Sequence, residues 1–324
     1  MEFQAALEQR RKRVDSALAG CFESIRPAQL YDATRWYPDA GGKRLRPVMS
    51  LLACEAAGGR DEDAMPLALA IELVHNFSLV HDDIMDRDAT RRGRATVHTK
   101  WDEPTAILAG DVLFARAFEV LARVPDAVAH HEASLMLGAA IRKLCEGQAM
   151  DMLFERRDDV TPAEYVDMIR GKTAVLFEAA CHGGALCADR RHVAELTRFG
   201  EAFGMAFQIA DDLLDVTADS KTLGKPWGSD VRAGKRTLLV LETLARANAA
   251  DLREFRAVLG KKTASDAEVV RAVEIMRACG ALGRVEQERD AYAKSAADAL
   301  HELPDSTARA HLLALNEWAR GRGN

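Results

Sequence analysis

Residues 79–92 read LVHDDIMDRDATRR, with four carboxylates in seven positions and two arginines close behind. Asp82 and Asp86 stand one helical turn apart, so a helix would project both from one face, with Asp83 about a quarter-turn away. Like charges at that spacing repel, so a partner outside the chain is needed to compensate them. The pattern returns at 207–216 in FQIADDLLDV, where Asp211, Asp212 and Asp215 again follow an apolar run. One DDxxD box is a common accident of a solvated helix end; two in one chain, each on an apolar helix, are not. Carboxylate oxygens with no His or Cys close by suit Mg²⁺, which keeps waters and takes substrate phosphates as ligands. Two such boxes, if brought together, leave room for a diphosphate to complete the metal coordination.

A metal-bound diphosphate needs further positive charge, and cations gather near the boxes. Arg91 and Arg92 follow the first box. Lys43, Arg44 and Arg46 lie in GGKRLRP, and Lys172 lies in RGKTAVLF. Lys221, Lys225, Arg232, Lys235 and Arg236 lie in the long polar stretch 217–237. Arginine meets phosphate oxygens as a fork and lysine as a point charge. Neither glycine–lysine motif is a nucleotide-binding P-loop. The one at 171–173 lacks the leading glycine, GSDVRAGKR has the wrong spacing and Arg236 in place of Ser/Thr, and no strand precedes either.

The elements that must carry these residues are helices. The chain has 324 residues, is 48% hydrophobic and 29% charged, and carries a net charge of −6. That allows a sizeable core and argues against a nucleic-acid binder, which usually has a basic excess. Apolar residues recur at helical spacing over about 64–81, 104–123, 126–154, 162–187, 190–216, 236–246, 265–279, 284–302 and 305–320. Alternating β-branched runs are missing, so an all-α, single-domain fold of ten or more helices over 1–324 is expected. Three irregular basic stretches interrupt it, at 38–47, 90–104 and 217–237. The six cysteines are scattered without a CxxC pair and are read as free thiols of a reducing, cytoplasmic protein. No membrane span and no signal peptide are expected.

With both boxes, GGKRLRP, RRG, GKT and the FQ pair just before the second box, the chain resembles the all-trans polyprenyl (isoprenyl) diphosphate synthases, of the short-chain farnesyl and geranylgeranyl type. The resemblance runs over almost the whole chain. It implies helices around a deep central cavity, a homodimer, and head-to-tail condensation of isopentenyl diphosphate with an allylic diphosphate. It implies that Asp82, Asp86 and Asp211 hold Mg²⁺, three ions per site, with Asp83, Asp212 and Asp215 in support. Arg91, Lys172, Lys225 and Lys235 would grip the allylic diphosphate. Lys43, Arg46, His75 and Arg92 would bind that of isopentenyl diphosphate. Thr173 and Gln208 would line the region where the allylic cation forms, with Phe207 near the homoallylic substrate. The basic 217–237 stretch would close over the site.

Product length is expected to depend on the residues one or two turns before Asp82. Phe77, with small Ser78 beside it, resembles the floor of archaeal-type geranylgeranyl synthases. A deeper floor near Ala70, Leu73 or Val74 would give a longer product, and a farnesyl product is the nearby alternative. A class I terpene cyclase would have no use for GGKRLRP and seldom carries a second DDxxD. A non-catalytic subunit would not need intact boxes, and a purely structural bundle would bind no diphosphate.

Overall fold

The computed structural model describes residues 3–217 and 227–321. The chain divides into two compact units, one of residues 1–142, 176–200 and 299–314, the other of 143–175, 201–298 and 315–324.

In the first unit, α1 (Phe3–Ala19), α2 (Ala28–Arg35) and α3 (Leu45–Ala56) precede the 26-residue α4 (Asp61–Asp86). The core helix α4 packs against α3 and α6 (Glu103–Leu121). Leu67, Ala68, Ala70, Ile71, Leu73 and Val74 are fully buried along it. It is apolar and long enough to span a bilayer, yet 67% of its most apolar 18-residue window is buried inside the fold, as in a core helix. Asp102 starts α6 by accepting a hydrogen bond from Thr105 N at 2.7 Å, with Pro104 in the first turn. Between these helices, α5 (Val97–Lys100) follows a small antiparallel hairpin, β1 (Thr90–Arg91) and β2 (Arg94–Ala95). Its two central residues, Arg92 and Gly93, both have positive φ, as a tight hairpin turn requires. The expected irregular stretch at 90–104 is thus ordered by this hairpin.

The second unit is helical too. Its part of α7 (Ala127–Phe154) is followed by α8 (Pro162–Ile169), started by a Thr161–Glu164 capping box. The chain then passes through a π-helical turn, Arg170–Ala174, into α9 (Val175–Leu186), which belongs to the first unit from Leu176 onward. The helix expected over 162–187 is therefore one helical run with a widened turn in it. The unit also takes the C-terminal part of α10 (Val193–Thr217), then α11 (Ser229–Ala233), α12 (Leu238–Arg246), α13 (Ala249–Val258), α14 (Asp266–Ala278) and most of α15 (Ala281–His301). The chain ends in α16 (Thr307–Arg320). The all-α expectation holds, and β1 and β2 are the only strands among the described residues.

Candidate active site

The first box occupies the last turns of α4. Asp83 is fully buried. Its carboxylate accepts a hydrogen bond from the hydroxyl of Tyr37 and bonds from Arg91, Nε at 2.7 and 2.9 Å and Nη2 at 2.6 Å. Burial beside this carboxylate pushes the Tyr37 phenol well above its ordinary range, so it stays a donor. Asp82 is half-buried and Asp86 exposed. The helix stops at Arg87, whose positive φ turns the chain away at once. Carboxylates at a helix C-terminus are disfavoured by its dipole, so this placement needs a cation to compensate it.

GGKRLRP forms the approach to α3. Gly41 and Gly42 have φ of 74° and 148°, which a side chain would strain. A Cβ on Gly42 would also lie 3.1 Å from the Arg92 guanidinium, which donates to the Gly41 carbonyl. Lys43 is exposed. Arg44 turns inward to Glu72 at 2.6 Å, Asp15 at 2.9 Å and the Pro38 carbonyl. Its expected place among the phosphate-facing cations is corrected accordingly, for Arg44 anchors the loop. Arg46 lies over the Phe177 ring at 4.2 Å, and its Nη1 is 3.4 Å from His75 Nε2. Its Nε is buried without a hydrogen-bond partner. Burial, with Arg92 nearby, pulls the Arg46 guanidinium down to about 10. Burial first, then Arg46, Arg92, Arg91 and Arg44, holds His75 well below its ordinary range and therefore neutral. Positive charge is confined here beyond what the neighbouring Glu72 balances, a setting that an anion would relieve.

The second box ends α10. Asp211 is half-buried, whereas Asp212 and Asp215 are buried. Asp212 accepts from the Tyr165 hydroxyl and from Gln208 Nε2 at 2.9 Å. Burial, reinforced by Asp230 and Asp211, raises it to about 7. Asp215 accepts from Ser229 Oγ at 2.7 Å and from Asp230 N at 3.0 Å, which ties the start of α11 to α10. In both boxes the middle aspartate is thus committed inside its unit, and in the second box the last one is as well.

GKT lies on the π-helical turn, which packs against α7 so closely that a Cβ on Gly147 would sit 2.3 Å from Lys172 N. The glycines serve this backbone approach. Such widened turns recur where side chains must be re-aimed. Lys172 pairs with Asp151, and Thr173 Oγ1 donates to Gln208 Oε1 at 2.8 Å. Phe207 stacks on Phe203 with ring centroids 6.0 Å apart. Of the 217–237 cations, Lys221 and Lys225 lie outside the described residues. Arg232 is tied to Trp227, Ala264 and Asp266, and Arg236 to Arg157 and Asp158. Lys235 is exposed, 4.0 Å from Asp230.

Along α4, the Phe77 ring meets His81 at 4.9 Å and Phe114 of α6 at 5.5 Å, and Phe114 meets Phe118 at 5.4 Å. Val74 is fully buried and Ser78 nearly so, whereas Phe77 keeps partial exposure.

Sequence reasoning missed Tyr37, Tyr165, Gln148 and Asp151. Gln148 buries both ends of its amide without a partner. The sequence EGQAMD at 146–151 holds two of them, but spacing alone marks it as ordinary helix.

The polyprenyl synthetase family profile matches residues 27–276. The chain belongs to the polyprenyl synthetase family. It is 41% identical to a short chain isoprenyl diphosphate synthase of Methanothermobacter thermautotrophicus, over 99% of both chains. It is 42% identical to a geranylfarnesyl diphosphate synthase of Aeropyrum pernix, over 87% of this chain and 90% of that one. A crystal structure of a geranylgeranyl pyrophosphate synthetase from Pyrococcus horikoshii superposes with a TM-score of 0.93 at 42% identity, covering 99% of this chain and 98% of the other.

Proposed function

We propose that this family member is a trans-prenyltransferase. It joins isopentenyl diphosphate head-to-tail to allylic diphosphates and makes geranylgeranyl diphosphate. The observation that carries the reading is the division of labour in the boxes. Asp83, Asp212 and Asp215 are buried, while Asp82, Asp86 and Asp211 retain exposure at the ends of core helices.

The donor set fits Mg²⁺. Asp82, Asp86 and Asp211 are hard oxygen donors of the type Mg²⁺ takes. That suits an ion completed by waters and diphosphate oxygens. When bound, Mg²⁺ neutralises the charge that develops on a leaving diphosphate. We read three ions per site, held by these aspartates.

Lys172, Arg91, Lys235 and Lys225 bind the allylic diphosphate and stabilise it as the C1–O bond breaks, the charge falling on the leaving oxygens. Arg46, Arg92, Lys43 and neutral His75 bind isopentenyl diphosphate. The buried Arg46 Nε without a partner supports this role. The double bond of isopentenyl diphosphate attacks the allylic C1, and a proton then leaves its C2. The departed diphosphate is the candidate acceptor for it. Thr173 and Gln208 face the cation with their oxygens, and Phe207 packs the homoallylic chain.

Phe77, backed by Phe114, forms the floor that sets twenty carbons, with Ser78 and Val74 beside it. A longer product is the second reading, favoured by the geranylfarnesyl relative. We read residues 1–324 as one domain, since unit boundaries fall inside α7 and α10. A homodimer is supported by Ile107, Leu108 and Leu135, large apolar side chains exposed on α6 and α7. A cytoplasmic setting is supported by the cysteines, none of which forms a disulfide among the described residues. Chromatography of products from the purified chain, isopentenyl diphosphate and each short allylic diphosphate tests the reading; no chain elongation with any starter would refute it.

A further inference from the structure

Four side chains of the second unit form a hydrogen-bonded row. A Cβ on Gly204 of α10 would sit 2.6 Å from Ala174 Cα, so α10 and the π-helical turn meet backbone to backbone. That approach places Thr173 Oγ1 2.8 Å from Gln208 Oε1. One turn on, Gln208 Nε2 is 2.9 Å from Asp212 Oδ1, and the Tyr165 hydroxyl donates to Asp212 Oδ2. Tyr165 and Asp212 are buried, while Thr173 and Gln208 keep partial exposure.

The donor and acceptor types fix the direction of this row. Asp212 accepts at both oxygens, at Oδ1 from Gln208 Nε2 and at Oδ2 from the Tyr165 hydroxyl. The Gln208 NH₂ must therefore point at Asp212, which turns its carbonyl toward Thr173. A carbonyl only accepts, so the Thr173 hydroxyl spends its proton on Gln208. What remains on Thr173 Oγ1 is lone-pair density. A hydroxyl held this way presents the negative end of its dipole, and one free to rotate would offer its proton instead.

We infer that Tyr165 and Asp212 are positioning residues for ionisation, holding the Gln208 amide so that Thr173 turns oxygen lone pairs, and not its proton, toward the carbon that becomes cationic. The inference rests on the prenyl-transfer reading of this site. Neither Tyr165 nor Asp212 need touch substrate for it to hold. Preorganised dipoles stabilise developing charge without reorganising during the reaction, and that is what the row supplies.

A double-mutant cycle tests it. Tyr165→Phe removes one oxygen, and Thr173→Val removes the hydroxyl on which the row acts. Tyr165→Phe is expected to lower kcat about 10-fold, less than the ~10²–10³ of a group acting directly on the charge. The KM for both diphosphates is expected to stay within about 2-fold, since ground-state binding is untouched. In the Thr173→Val background the same change should lower kcat by less than about 2-fold. Thr173→Ser, which keeps the hydroxyl, should restore the full effect of Tyr165→Phe. An equal fall of kcat in the wild-type and Thr173→Val backgrounds would overturn the inference, as would a rise in KM with kcat unchanged. If circular dichroism shows Tyr165→Phe unfolded, Asp212→Asn replaces it in the cycle and is read on kcat alone, because it also removes a charge beside Asp211. Wild-type chain that elongates no allylic diphosphate refutes the prenyl-transfer reading and this inference with it; additive effects in an active enzyme overturn this inference alone.

Discussion

The Tyr37 hydroxyl donates its hydrogen bond to Asp83, 46 positions along the chain and in the middle of the first aspartate box. Together with Arg91 this makes Asp83 an internal anchor of α4. Removing the Tyr37 oxygen leaves a buried acceptor short of one donor, an effect of about 1–3 kcal/mol. Asp83→Asn strips Arg91 of its counter-charge and is expected to destabilise more, by roughly 3 kcal/mol. Urea unfolding of the two variants checks the order; equal stability to wild type for both would contradict the anchor role.

The outer aspartates behave oppositely. Alanine at Asp82, Asp86 or Asp211 is expected to lower kcat/KM by on the order of 10²–10³-fold or more, as for loss of one group acting on the developing charge. Each should destabilise the fold less than Asp83→Asn does. Steady-state kinetics beside thermal melts separates the two classes. A variant of an outer aspartate that retains wild-type turnover would remove that residue from the metal set.

Much of this was legible in the chain itself, and the parts that were not share a cause. Helical periodicity located α4, α6, α7, α10 and α14, because each buries a face and repeats it every turn. It missed α13, where a short amphipathic segment ends near Gly260, and it read α8 to α9 as uniform. The π-helical turn follows from how tightly Gly147 and Gly171 let two backbones approach, which is a tertiary fact. The boxes were visible as motifs, but which aspartates are anchored was not. Their partners, Tyr37 and Tyr165, lie 46 and 47 positions away, beyond any local pattern. Arg44 and Arg46 are two apart and identical in type, yet Arg44 goes to Glu72 and Arg46 to His75. The left-handed φ of Arg44 helps separate them, and the sequence carries no sign of it.

The proposed floor is the Phe77 ring, which lies against Phe114. Phe77→Ala opens the face of α4 one turn deeper, about 5.4 Å, close to one isoprene unit. Products longer than twenty carbons are expected by reversed-phase chromatography. An unchanged length would place the floor below Phe77.

Neutral His75, surrounded by Arg46, Arg92, Arg91 and Arg44, sets a pH dependence. Its folded-state proton affinity is depressed, so the unfolded chain binds the proton more readily. Its contribution to stability is full above the unfolded value of about 6.5 and is lost as pH falls below it. His75→Gln should therefore lose less melting temperature than wild type between about pH 7.5 and 5.5. Parallel curves for the two proteins would contradict a buried neutral His75.

The proposed function requires carboxylates from both boxes to serve one magnesium-bound diphosphate. Calorimetric titration of a non-ionising allylic thiolodiphosphate tests it most directly, run with and without Mg²⁺ on wild type, Asp82→Asn and Asp211→Asn. Binding to wild type is expected to require Mg²⁺ and to be weakened strongly by either substitution. Binding that persists without Mg²⁺, or that Asp211→Asn leaves unchanged, would contradict it.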